Sequence, residues 1–233
     1  MKPILVLEHM DQPAPDAGLA HLADRGVEAQ VVKAFKGEPL PAPETLAERY
    51  SGVIVMGGAQ MVTDAETLPW MGEEIALMRR ALADRLPMLC ICLGAQMLAH
   101  ALGGTVAPDP QGRIAWGFHE IRALPAADNP IPARLTVLSG NFQGFEIPEG
   151  AERLATTDGP WANQAFRYGS ALALQFHPEV TQPILEDWQR YVGPHLHREG
   201  ATDIETQNAG FAAHDPALKA WFRDLLDARF GLV

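Results

Sequence analysis

PMLCICLGAQ, residues 87–96, decides how the chain is read. MLCI is a short apolar run opened by Pro87, and LGAQMLAHALGG after it has helical character up to the pair Gly103-Gly104. A brief apolar run bounded by turn signals suits a buried strand, and glycines close helices. Cys92 therefore falls at a strand-to-helix junction, with Gly94 two positions on, while Cys90 lies within the strand.

Working outward, KPILVLEH, VEAQVVKAF and GVIVMGG are further strand candidates, the last ending in the turn Gly57-Gly58. AGLAHLADRG and WMGEEIALMRRALADR have helical patterns, the second with acids early and arginines later, as the helix dipole favours. GEPLPAPETL is a proline-rich surface connection. Non-alternating strands separated by helices predict a mostly parallel sheet covered on both faces. From 105 to 176 the pattern changes to short strands with turns between them: WGFHEIRAL, ARLTVLS, AERLATT and SALALQF. These predict an antiparallel extension of the sheet. Two helices close the chain, around PILEDWQRYV and PALKAWFRDLLDARF. Without a repeat, a low-complexity tract or a boundary, the expectation is a single α/β domain over 1–233.

The 233 residues carry a net charge of −11, and only four of the 18 basic residues are lysines. No basic stripe is visible, so nucleic-acid binding is not expected. MKPILVLEHM is too short for a signal peptide, and no stretch reaches the roughly 18 apolar residues of a membrane span. Two cysteines make no disulfide framework, and a cytoplasmic location is expected.

The pair Cys90-x-Cys92 admits several chemistries. A zinc site needs about four ligands, usually two pairs of cysteines or histidines, and here one Cys-x-Cys stands alone, with His195-x-His197 far along the chain. Redox pairs normally enclose two residues, not one. Cys90 suits a buried core thiol. Cys92 suits a nucleophile, because a sharp strand-turn-helix lifts a side chain clear of the sheet and aims the helix N-terminus at it. The Leu93 N–H is then free to meet an oxyanion. A thiolate needs a base, and His177 in LALQFHPEV ends an apolar strand where α/β sheets bind ligands. Glu179, two residues on in extended chain, projects to the same side and can orient the imidazole.

CLGAQ after a strand, FHPE late in the chain and the VMGG turn together resemble the class I (triad) glutamine amidotransferases, over roughly residues 1–195. The resemblance implies a flavodoxin-like three-layer sandwich and a triad of Cys92, His177 and Glu179. It implies attack on the side-chain amide of glutamine, a γ-glutamyl thioester and release of ammonia. Oxyanion donors map to the N–H groups of Leu93 and Gly58, beside Gly57, and a substrate contact maps to Gln96. Three departures stand out. Cys90 and Ala59 replace a usual glycine and proline, and Asn141 and Gln143 in SGNFQGFEIP replace the family's common histidine and aspartate.

No Gly-Lys phosphate loop is present, and neither metal nor cofactor is expected. Three readings stay open: a glutaminase acting alone or with a separate synthetase subunit, a hydrolase of other γ-glutamyl amides, and a non-catalytic ligand-binding or regulatory protein. The extension 196–233 offers one amphipathic helix, whose Trp221, Leu225 and Phe230 are expected to pack on the domain.

Overall fold

A computed structural model describes residues 1–232. Nine strands form one sheet in the order β2-β1-β3-β4-β11-β10-β9-β6-β7. Its parallel half comprises β1 (Ile4–Leu7), β2 (Ala29–Val32), β3 (Gly52–Val55), β4 (Met88–Ile91) and β11 (Ala171–Leu174). That order is flavodoxin-like, with ligand crevices expected at the carboxyl ends of the strands. The antiparallel half comprises β6 (Ala115–Ala123), β7 (Arg134–Asn141), β9 (Glu152–Thr156) and β10 (Asn163–Tyr168).

Strands without alternation arise because both faces are covered. Along β1, Leu5 and Leu7 join the cluster under α3 (Pro69–Ala83) and α4 (Leu93–Ala101). Ile4 and Val6 join the opposite cluster, with Leu22 of α1 (Ala17–Asp24) and with Leu218, Phe222 and Leu226 of the last helix. A third cluster lies under α5 (Gln182–Val192), where Ile184, Leu185 and Trp188 meet Trp116 and Leu138. The remaining short helix is α2 (Leu46–Arg49).

The structure departs from the sequence reading in three places. SALALQF, grouped above with the antiparallel extension, is β11 and pairs in parallel with β4 as well as antiparallel with β10. A small two-stranded sheet, β5 (Val106–Pro108) with β8 (Gln143–Phe145), had no alternation to announce it. The last helix, α6, runs unbroken over Ile204–Phe230 rather than starting near Pro216. Asp203 caps it by accepting the Thr206 N–H at 2.7 Å. A proline inside a helix costs about 3 kcal/mol, but burial of a Leu or Phe contributes roughly 1.5–3 kcal/mol. Before the proline, fully buried Gln207 and the Phe211 ring packed edge-on against Phe118 hold the first turns in place. As expected, the apolar face of α6 packs on the sheet, and Trp221 Nε1 donates to the Pro130 carbonyl at 2.8 Å. Among the described residues, no helix is long and apolar enough to cross a membrane.

Candidate active site

Cys92 is the N-cap of α4 and has φ 48°, ψ −102°. That left-handed φ is rare for a residue with a Cβ and marks strain of the kind found at functional sites. The surrounding structure enforces it. The Cys92 N–H donates to the Leu174 carbonyl at 2.8 Å, fixing the junction to β11. The Gly94 N–H donates to Met56 at 3.2 Å, and a Cβ on Gly94 would lie 2.3 Å from the Val55 carbonyl oxygen. Only glycine lets α4 start so close to β3. The Leu93 N–H, one residue earlier, has no acceptor among the described residues.

Because β11 is parallel to β4, its carboxyl end brings His177 to the same edge as Cys92. The His177 Nδ1 is 2.8 Å from Glu179 Oε1, and its Nε2 is buried with no partner. Burial disfavours the charged imidazole, but the Glu179 carboxylate and then the Cys92 sulfur outweigh it, raising the pKa above the ordinary histidine value. The Trp188 ring packs edge-on against the imidazole, with centroids 4.6 Å apart. Gly57 lies beneath the pair: a Cβ there would come 2.8 Å from His177 Cε1 and 3.5 Å from Cys92 Cβ.

A cavity of about 370 Å³ opens above them, with Gly58, Cys92, Gln96, Asn141, Gln143 and His177 in its wall. Gln96 donates to the Gln143 carbonyl at 2.9 Å, and Asn141 Nδ2 donates to the same oxygen at 2.8 Å. The Gln143 side chain is occupied elsewhere, accepting from the Val62 N–H and donating to the Thr63 hydroxyl, both at 3.2 Å. Asn141 Oδ1, by contrast, is buried without a donor. Of the two replaced positions, Asn141 is therefore the one with a free acceptor.

Several residues in this region were not singled out from sequence. Gln175 is fully buried, and its Nε2 lies 3.7 Å from Cys92 Sγ. Its position two residues before His177, on the same face of extended chain, was the available signal. His9 joins the Met56 carbonyl at 2.9 Å to Glu74 at 2.7 Å, bracing the Gly57-Gly58 turn from residues too far apart in sequence to be paired by pattern. The two departures near the elbow are absorbed. Cys90 is buried opposite the small Ala173, burial raises its thiol pKa, and the loop at Ala59 is held by Gln60 donating to the His9 carbonyl at 3.1 Å.

Chemically, a thiol at a helix N-terminus beside a carboxylate-bound imidazole can carry out acyl transfer. The profile of the glutamine amidotransferase class-I family matches residues 17–184, and the chain belongs to that family. It is an enzyme of the amidotransferase type, a class that typically uses a cysteine nucleophile. It is 38% identical over 143 residues to a glutamine-hydrolysing GMP synthase of Thermomicrobium roseum, covering 58% of this chain and 24% of that one. A GMP synthase of Aeropyrum pernix is 30% identical over 197 residues, covering 78% of this chain and 36% of that one. The chain thus spans between 24% and 36% of the length of these two relatives. A glutamine amidotransferase structure from Thermotoga maritima superposes with a TM-score of 0.85 at 26% identity, covering 98% of either chain.

Proposed function

We propose that the chain is a single amidotransferase domain that hydrolyses a γ-glutamyl amide through a thioester on Cys92. The observation that carries this is the strained φ of 48° at Cys92, held at the head of α4 on the edge it shares with the His177–Glu179 pair. His177 accepts the Sγ proton as sulfur attacks the amide carbon. The N–H groups of Leu93 and Gly58 receive the charge that develops on oxygen. The C–N bond breaks as His177 returns the proton to the leaving nitrogen, releasing ammonia when the substrate is free glutamine. Water, deprotonated by His177, then attacks the thioester and releases glutamate and the free thiol. Similarity to glutamine-hydrolysing GMP synthases supports glutamine as substrate and a separate synthetase subunit as recipient of the ammonia.

The cavity favours a second reading of the leaving group. Its 370 Å³ exceed what free glutamine fills, and Trp116, Phe142, Trp188 and Tyr191 line it. Apolar walls with a few fixed polar groups suit a larger organic ligand. A γ-glutamyl amide of an amine would fill that space. Comparing kcat/KM for glutamine and a series of γ-glutamyl amines tests the two readings. A higher value for glutamine than for every amide supports the first, and a rise with amine size supports the second. No turnover of any of them by folded protein would refute both.

A further inference from the structure

Behind the imidazole lies a second carboxyl group with no part in the chemistry above. Asp16 is 2% exposed and caps α1: its Oδ1 accepts the Gly18 N–H at 2.6 Å and the Leu19 N–H at 2.9 Å. Its Oδ2 is buried with no partner, and so is Oε2 of Glu179, the oxygen not used by His177. Backbone ties these residues together, since the Ala17 N–H donates to the Glu179 carbonyl at 2.8 Å. Both side chains border one cavity of about 10 Å³, at the lower limit for a single water. Gln12, whose Oε1 is likewise buried with no partner among the described residues, borders the same cavity. Two buried carboxyl groups bordering one space are costly as a pair of anions and favourable when one of them carries a proton.

We propose that Asp16 is a positioning residue: protonated on Oδ2, it donates to Glu179 Oε2, directly or through one water, and so fixes the carboxylate that orients His177. The inference rests on the triad reading above. Oδ1 stays committed to the helix cap, which leaves Oδ2 as the atom that carries the proton. Burial, countered by the Leu19 N–H and reinforced by the charge of Glu179, pushes the Asp16 carboxyl up to about 7. The charge of Glu8 acts in the same direction. Glu8 pairs with Lys33 at 3.2 Å, His9 with Glu74 at 2.7 Å and Lys219 of α6 with Asp215, and Lys219 also donates to the Val180 carbonyl. Above neutral pH the donor is lost and a second negative charge appears beside Glu179.

The test compares Asp16→Ser with Asp16→Asn. Serine keeps a capping oxygen but cannot reach Glu179, whereas asparagine keeps the cap and supplies an N–H in place of the acid proton. Two readouts apply: steady-state kinetics on γ-glutamyl amides from pH 5 to 9, and the ring N–H proton resonance of His177, assigned by its disappearance in His177→Ala. We expect kcat to fall about ten- to a hundredfold in Asp16→Ser with KM unmoved, as when a group that orients another ligand is lost. Asparagine should recover most of the loss and move the alkaline limb to higher pH. The His177 resonance should broaden or vanish in the serine variant and persist in the asparagine variant. Serine and asparagine variants that match each other in both readouts would overturn the proposal. If the wild-type chain turns over no amide, the proposed reaction fails separately, and the resonance alone decides whether Asp16 fixes the imidazole.

Discussion

The Nδ1 of His177 lies 2.8 Å from Glu179 Oε1, and the pair is buried to within 2% and 4% of full enclosure. With Nδ1 held by the carboxylate, the ring turns Nε2 away from Glu179, and that nitrogen has no partner among the described residues. His177→Ala should therefore reduce turnover of γ-glutamyl amides nearly as far as loss of the nucleophile. Glu179→Gln should be milder, because an amide holds the ring but stabilises its charged form less. The Cys92/His177 double variant should be little worse than either single one, since members of one unit are not additive. Steady-state kinetics on Cys92→Ala, His177→Ala, Glu179→Gln and the double variant check this, and Glu179→Gln as the most damaging would contradict it.

Gly57→Ala probes the packing beneath the site. The new methyl would sit 2.8 Å from His177 Cε1, against a ring also confined by Trp188. A displacement near 1 Å in such a constellation costs about a hundredfold in rate. We expect kcat to fall by about that factor while thermal unfolding shifts only a few degrees. A fully active alanine variant would mean that the imidazole has room to move.

Asp16 should leave a mark on stability independent of activity. Its carboxyl is raised from 3.8 to about 7, so the folded state holds a proton that the unfolded chain releases. Its stabilising contribution is complete below about pH 4 and is lost as pH rises towards 7. Asparagine does not titrate, so Asp16→Asn should gain on the wild type across that window, by at most about 1.4 kcal/mol per pH unit. Urea denaturation of both proteins between pH 4 and 8 measures the difference. A gap that stays flat or closes as pH rises would contradict the shift.

Asn141 lines the cavity, and its Oδ1 is buried without a donor among the described residues. Removing one such hydrogen bond to a substrate N–H costs about 1 kcal/mol, roughly fivefold in affinity. Asn141→Ala should raise KM by that factor with kcat nearly unchanged. An unchanged KM would mean that its oxygen meets no substrate.

The parallel half of the sheet was legible because ILVL, GVIV and MLCI are buried on both faces and read as continuous apolar runs. Cys92, His177 and Glu179 were legible because each follows a strand at the edge where ligands bind. The start of α6 was not, since ETQNAG carries little apolar pattern and Pro216 reads as a helix start. Gln207 donating to the Thr202 carbonyl, together with Phe211 packed against Phe118, overrides that local signal. Asp16 and Gln175 were missed for a different reason. Asp16 meets the Glu179 segment only through tertiary structure, which spacing along the chain cannot report, whereas the one cue to Gln175 was its place two residues before His177.

The central claim is that Cys92, and not Cys90, forms the thioester. Cys90 lies fully buried within β4, and burial raises its thiol pKa, whereas Cys92 opens onto the cavity. The direct measurement is peptide mass mapping after treatment with a diazo-ketone analogue of glutamine, on the wild type, Cys92→Ala and Cys90→Ala. We predict one adduct, on the peptide containing Cys92 and localised to that residue by fragmentation. It should be absent from Cys92→Ala and retained, with most of the hydrolytic activity, in Cys90→Ala. Labelling at Cys90, or equal loss of activity in both folded variants, would contradict the assignment.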